Sequence, residues 1–463
     1  MTLLNLARIM LLFICLAIYL PFGFHPSSAV FASSENITVV SGVRIESQVE
    51  TQFPQGIRFR FDILGPTEIV SLTLRYKVVG SPISQYLRHD VEPGNLVSAV
   101  FFLRTDTAAR YIPPGAGLEY SLDIEGNSGN ILHTPPQRLL LLDPNFQWNR
   151  LDGSNSFVLY YGDNSHEAQS VLETAELTLV NMGRIIGVKP NSLLRITMYS
   201  TLADMRAALP PRSNVQEETL MVEGMSFGDT GVILLLGNRF NTTGVAAHET
   251  THFLMRSAVE NFSQLLPAWL NEGLSEYANP FPSSIFKDEL IHAIRGDRLL
   301  PLTSLVQPPG KPRDVILFYA QSASVVRYLL ETFGTTKFQN LIRNLNAGQP
   351  IDSALMETYQ FDTSTLDSKW RIKQGAPPLT TTPSPLFLPT SIPRAALVPF
   401  GSTPTAISTS VRESIDDSIR ESDSPKPTPG WSCQQSRGND LAGPWTVLLI
   451  TGYLATIRSL RSR

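Results

Sequence analysis

Cysteine is nearly absent from this sequence, which has only Cys15 and Cys433 in its 463 residues. Cys15 lies inside an apolar N-terminal run, and Cys433 lies close to an apolar C-terminal one. A scaffold held by internal disulfides is therefore excluded, and stability must come from ordinary hydrophobic cores. A cysteine protease is excluded as well, because neither cysteine lies in sequence that looks folded.

A strong excess of one charge is also lacking. The formal net charge is -4 and the isoelectric point is about 6.0, so the composition lacks the excess of positive charge that is typical of nucleic-acid-binding proteins. We therefore expect no nucleic-acid partner. The hydrophobic content of 42% fits a globular protein, and 463 residues are enough for two or more domains.

Both ends of the chain carry apolar segments. Residues 1–32 resemble a secretory signal peptide, with Arg8 ahead of an apolar stretch and small residues near Ala32. An uncleaved N-terminal anchor is the alternative. Residues 441–457 are apolar and are followed by the basic tail 458–463, which predicts a transmembrane helix with a cytoplasmic end. A C-terminal sorting signal is the alternative there.

Residues 34–143 show the alternation of β-strands. Apolar and polar residues alternate along 43–49, 57–61 and 72–76, and turn residues such as Pro93-Gly94 and Gly126-Asn127 stand between such runs. No helix-period segment interrupts the series. We predict an antiparallel β-sandwich of about seven strands, similar to an immunoglobulin or fibronectin module.

From residue 144 to 372 the pattern predicts a mixed sheet followed by a helical lobe. Strands are expected at 157–161, 194–199 and 231–236, and helices at 167–186, 243–258, 267–278, 283–295, 316–333 and 336–346. Residues 224–228 suggest a loop and an edge strand, which could add an extended peptide or simply be a core strand. Residues 373–440 are rich in Pro, Ser and Thr and predict a disordered linker.

Three of the candidate site residues lie in the helix predicted at 243–258. His248 and His252 are one helical turn apart, so both rings can reach one metal ion, and Glu249 projects beside them toward a water. A zinc hydrolase site needs a third protein ligand and an open fourth position. Glu272, in the segment Asn271-Glu272-Gly273-Leu274-Ser275-Glu276-Tyr277, is the candidate for that ligand.

These two motifs resemble the gluzincins, the zinc peptidases typified by thermolysin, and more closely the bacterial peptidase MA-like domain. Residues 318–329 also resemble the downstream helix of that domain. The resemblance spans about residues 150 to 350 and includes neither the predicted sandwich nor the linker. It implies a thermolysin-like fold for that part of the chain, so the expected fold class is α+β.

The resemblance also implies roles for individual residues. His248, His252 and Glu272 would bind one zinc ion, and Glu249 would be the general acid/base. Glu276 is similar to the carboxylate that braces a ligand histidine, here His248, with a solvated helix carboxylate as the alternative. Tyr319 is the candidate donor to the tetrahedral oxygen, and packing is its alternative. His292 is a second candidate donor.

We therefore expect a zinc-dependent peptidase that acts on peptides or proteins outside a membrane, held by its C-terminal helix. The near absence of cysteine and the short basic tail suit a bacterial surface protein. One alternative is a surface binding or adhesion protein whose zinc domain is inactive, although Glu249 and the ligand set are intact. Another is a zinc hydrolase that cleaves a non-peptide bond.

Overall fold

The computed structural model of the protein describes residues 28–30, 33–107, 109–190, 192–211, 221–260, 262, 265–378, 431–435 and 445–447. The strands in this part of the chain are β1 (Ser28–Val30), β2 (Ser33–Val40), β3 (Val43–Gln52), β4 (Gly56–Val78), β5 (Ser84–Arg104), β6 (Gly117–Gly126), β7 (Ile131–His133), β8 (Gln137–Leu140), β9 (Trp148–Asp152), β10 (Ser156–Tyr160), β11 (Leu194–Tyr199), β12 (Met221–Phe227), β13 (Val232–Leu236), β14 (Trp431–Gln435) and β15 (Trp445–Val447).

The helices in the same part are α1 (Ser165–Ile186), α2 (Leu202–Ala208), α3 (Thr242–Ala258), α4 (Ala268–Ala278), α5 (Ser284–Arg295), α6 (Pro312–Asn346), α7 (Ile351–Tyr359) and α8 (Thr363–Lys373). The fold is therefore α+β, as the sequence predicts. The helices expected at 316–333 and 336–346 are the two halves of α6, which kinks at Gly334, where φ is 80°. Glycine adopts this left-handed conformation without steric cost.

Strands β2 to β8 form the N-terminal module, one continuous antiparallel sheet whose two halves pack on each other around one core, with the rings of Phe59 and Tyr120 5.1 Å apart. The sheet is continuous because of the length of β4, which pairs with β3 and β5 in its first half and with β5 and β6 in its second. Residues 57–61 and 72–76, predicted as separate strands, both lie on β4. The register shifts between Leu64 and Ile69, so the chain bulges there instead of turning.

The predicted turn at Pro93-Gly94 belongs to the same irregularity. It lies inside β5, where Gly94 pairs with Ile69 of β4. Bulges favour the same residue types as turns, because both depart from the regular pleat. Composition alone therefore could not distinguish the two.

The second sheet carries the metal-site helices on one face. Its strand order is β1-β9-β10-β11-β13-β12-β14-β15, with β10, β11 and β13 parallel and β12 antiparallel to β13. Side chains alternate between two cores: Val158 and Ile233 pack in the large helical core, while Phe157 and Val232 pack on the opposite face. Because both faces are covered, these strands appear in the sequence as continuous apolar runs.

The N-terminal module covers the face of this sheet opposite the helices. Thr197 of β11 donates its hydroxyl to the carbonyl of Pro114 at 3.0 Å, and Ala116 and Leu142 join the core of that face. Gly115 has φ of +95°, and a Cβ there would lie 2.2 Å from Thr197 Oγ1. The two domains expected from the sequence therefore share one buried contact layer.

The predicted segments at the chain ends lie mostly outside the described residues. Of the expected signal peptide, Ser28–Val30 is described and pairs with β9. Of the expected linker and transmembrane segment, 373–378, β14 and β15 are described, and β14 pairs with β12. Within the described chain, no helix is both long and apolar enough to cross a bilayer.

We expect Gly115→Ala to destabilise the protein more than Gly129→Ala. Both glycines have a positive φ, which costs an alanine about 1–2 kcal/mol, but a Cβ at Gly129 would meet nothing within 4 Å. The clash with Thr197 should add about 1–3 kcal/mol for Gly115→Ala. Thermal and urea unfolding of the two variants measures the difference. Equal losses would contradict the close contact between module and sheet.

Candidate metal centre

The two histidines lie on helix α3, in the centre of the protein. It is buried along nearly its whole length, from Thr242 to Ala258, and packs between α1, α4 and strand β12. A helix that is buried all round belongs to the core, so polar side chains on it need partners inside the protein. His248 is 0% exposed and His252 is 1% exposed.

Helix α4 supplies a partner for the two histidines. It follows Pro267, whose fixed backbone suits a helix start, and it packs closely on both α3 and α6. A Cβ at Gly273 would lie 2.4 Å from the carbonyl oxygen of Ser322 on α6, so only glycine fits there. Glu272, the residue before it, is 3% exposed and faces the histidines.

The three candidate ligand atoms form a compact triangle. His248 Nε2 lies 3.1 Å from His252 Nε2 and 3.4 Å from Glu272 Oε2, and His252 Nε2 lies 3.3 Å from the same oxygen. Ligands about 2.0–2.1 Å from a tetrahedral zinc ion are about 3.3 Å apart from each other. The spacing of these atoms therefore fits zinc, with one tetrahedral position left for a water or a substrate.

The charges in this cluster stabilise one another. Burial by itself would lower the pKa of His248, but the hydrogen bonds with Glu272 and Glu276 outweigh it and raise the pKa to about 10. Burial would likewise raise the pKa of Glu272, but the charges and hydrogen bonds of His252 and His248 lower it to about 2. Without a metal, the site is thus an imidazolium–carboxylate cluster near neutral pH.

The outer nitrogens of both histidines face polar side chains of α4. Glu276 Oε2 lies 3.4 Å from His248 Nδ1, and Asn279 Nδ2 donates to both carboxylate oxygens of Glu276 at 3.2 and 3.4 Å. Ser275 Oγ lies 3.1 Å from His252 Nδ1. Residues 272, 275 and 276 lie on one face of α4, because they are three and four positions apart.

Glu249, the predicted general acid/base, is fully buried beside strand β12. A Cβ at Gly224 of β12 would lie 2.8 Å from Glu249 Cγ and 2.9 Å from Glu249 Oε1. Glycine is therefore required where the strand crosses the helix. The outer edge of β12 is paired with β14, so β12 is an inner strand of the described sheet and not the open edge that could add a peptide.

The two candidate donors lie in different surroundings. The ring of Tyr319 is 6.4 Å from the ring of His248, centroid to centroid, and it stacks on Phe286 at 6.0 Å. It is fully buried in the helical core. His292 is exposed near the end of α5 and is not part of the cluster around Glu272.

Sequence reasoning missed Ser275, Asn279 and Gly224. Ser275 is three positions after Glu272 on a predicted helix, so the two side chains lie on the same helix face. The sequence could therefore have indicated Ser275. Nothing local marks Gly224, because its role depends on how β12 crosses α3.

Comparison with known proteins agrees with this geometry. Residues 174–374 match the sequence profile of the Peptidase MA superfamily. The match confirms the resemblance inferred from the motifs, which lie within these residues. No curated protein matches the sequence.

Several solved structures are similar to this chain, all at low identity. A two-domain M1 zinc metallopeptidase bound to L-arginine is 10% identical, with a TM-score of 0.32, over 70% of this chain and 89% of that one. An M1 zinc metallopeptidase from Deinococcus radiodurans is 12% identical, with a TM-score of 0.28, over 75% and 95%. A β-1,3-glucan-binding module of family 56 is 17% identical, with a TM-score of 0.12, over 23% and 96%. TM-scores this low carry no conclusion about activity.

We expect zinc binding to release about one proton at pH 7, because a metal ligand must be a neutral imidazole. The raised pKa of His248, about 10, means that the metal-free site holds this proton throughout the neutral range. Zinc affinity should therefore rise about tenfold per pH unit between about pH 7 and 9. Chelator competition at several pH values measures this slope. An affinity that stays flat over this range would contradict a protonated His248.

Proposed function

We propose that this protein is a zinc-dependent peptidase. The observation that carries the proposal is the buried triangle of His248, His252 and Glu272 with Glu249 on the same helix. Two imidazoles and one carboxylate are the ligand set of known catalytic zinc sites, and three ligands leave one position for chemistry. The match of residues 174–374 to the peptidase MA superfamily supports peptide bonds as the substrate.

The mechanism assigns a role to each residue of the cluster. A bound zinc would supply a Lewis acid and would lower the pKa of a water at the open position. Glu249 accepts the proton of the attacking water and then donates it to the leaving amine. Glu276 holds His248 through Nδ1, so that Nε2 of this ring remains available as the ligand atom.

Tyr319 is our candidate for the donor that stabilises the developing oxyanion. Its support is its position next to His248 and its stacking on Phe286, which fixes the plane of the ring. A positioned donor of this kind contributes roughly 3–4 kcal/mol in other hydrolases. His292 lacks that proximity, so we prefer Tyr319 of the two.

We expect Glu249→Gln to keep its zinc but to lose peptidase activity by at least about a hundredfold, because the amide cannot accept the proton. A quenched peptide library with mass-spectrometric detection, with and without chelator, measures the activity. Glu173→Gln, which changes an exposed glutamate of α1, is the matched control and should behave like the wild type.

Two results would contradict the proposal. A Glu249→Gln variant with zinc bound and full activity would show that the mechanism is wrong. A zinc-loaded wild type that cleaves no peptide of the library would favour the binding-protein or non-peptide alternatives.

We further propose that the peptidase domain is held outside a membrane. The support is in the sequence alone, in the signal-like residues 1–32 and the apolar residues 441–457 with their basic tail. The full chain should then stay in bacterial membranes after alkaline carbonate extraction, while a chain ending at residue 440 should be released. Release of the full chain into the carbonate supernatant would contradict the anchor.

A further inference from the structure

We infer that Ser275 is a positioning residue that fixes the tautomer of His252 for zinc binding. This inference rests on the proposed zinc site. Ser275 belongs to α4 and is 0% exposed, and its Oγ lies 3.1 Å from His252 Nδ1. The other nitrogen of the same ring, Nε2, points at Glu272 Oε2 and His248 Nε2.

The geometry leaves His252 only one useful tautomer. Its Nε2 lies at the corner of the ligand triangle, so this atom must offer its lone pair to the metal. The proton of the neutral ring then has to sit on Nδ1, and a buried N–H without an acceptor costs about 1–3 kcal/mol. The hydroxyl of Ser275 accepts this hydrogen bond and thereby favours the binding tautomer.

The two histidines are supported by groups of different charge. His248 faces the carboxylate of Glu276, whereas His252 faces a neutral hydroxyl. Glu249, Glu272 and Glu276 already place three carboxylates in this buried cluster. A fourth carboxylate would add like-charge repulsion at a place where burial makes charge expensive. A serine supports the ring without that cost.

The support and the third ligand come from the same helix. Ser275 is three positions after Glu272, so the two side chains lie on neighbouring parts of the α4 surface that faces α3. Docking of α4 onto α3 therefore places the ligand and both histidine supports in a single step. If Ser275 served only as a small residue for helix packing, an alanine there would bind zinc equally well.

The test compares Ser275→Ala with Ser322→Ala. Ser322 is also a serine with 0% exposure, on α6 next to α4, and it is not hydrogen-bonded to a histidine. We expect Ser275→Ala to weaken zinc affinity by about tenfold or more, measured by chelator competition at pH 7. Ser322→Ala should bind zinc like the wild type. Ser275→Thr keeps the hydroxyl and should bind more tightly than Ser275→Ala.

Thermal unfolding of the zinc-free proteins measures folding separately from zinc binding. We expect both alanine variants to fold, with the lower melting temperature in Ser275→Ala, because that variant leaves His252 Nδ1 without its hydrogen-bond partner. Zinc affinity of Ser275→Ala within twofold of the wild type would overturn the inference. An equal loss in Ser322→Ala, or no recovery in Ser275→Thr, would overturn it as well. Because the readout is zinc affinity, the outcome is independent of whether the protein cleaves peptides.

Discussion

The structure depends on one constraint, the burial of two imidazoles and three carboxylates between α3 and α4. His248, Glu249, His252, Glu272 and Glu276 are each 3% exposed or less. Charges in such a place are tolerated only when they are paired, and removal of one partner typically costs about 3–5 kcal/mol. The cluster pairs imidazolium with carboxylate in the metal-free protein, and zinc would take the place of the proton. The two helices are therefore held at a separation that suits the metal.

The separation of α3 and α4 depends on glycine residues that let neighbouring elements pack closely. Gly273 lets α4 pack against α6, and Gly224 lets β12 cross α3 beside Glu249. The N-terminal module covers the far face of the sheet that supports α3, and Gly115 brings it into contact with β11. The metal site is thus braced by helices on one side and by a sheet with both faces covered on the other.

Much of the site was predictable because its signals are local. The spacing of His248, Glu249 and His252 is a helical pattern, and the helices expected at 243–258 and 267–278 agree closely with α3 and α4. The N-terminal module was less predictable. Its strand alternation indicated the right class of structure, but whether a Gly/Pro pair turns or bulges depends on the partner strand. The continuity of β4 is decided by pairing with β3, β5 and β6, which are distant in sequence.

The sequence by itself determined the type of chemistry, because residue identity and helical spacing fix which atoms can meet one ion. It also determined the α+β class through the change from alternating to helical periodicity. Only the tertiary structure decided which groups contact the residues of the site: Ser275 contacts His252, Asn279 contacts Glu276, and Gly224 lies against Glu249. The physical reason is that a hydrogen bond or a close approach depends on positions within a few tenths of an ångström, which are set by the docking of helices and strands on one another.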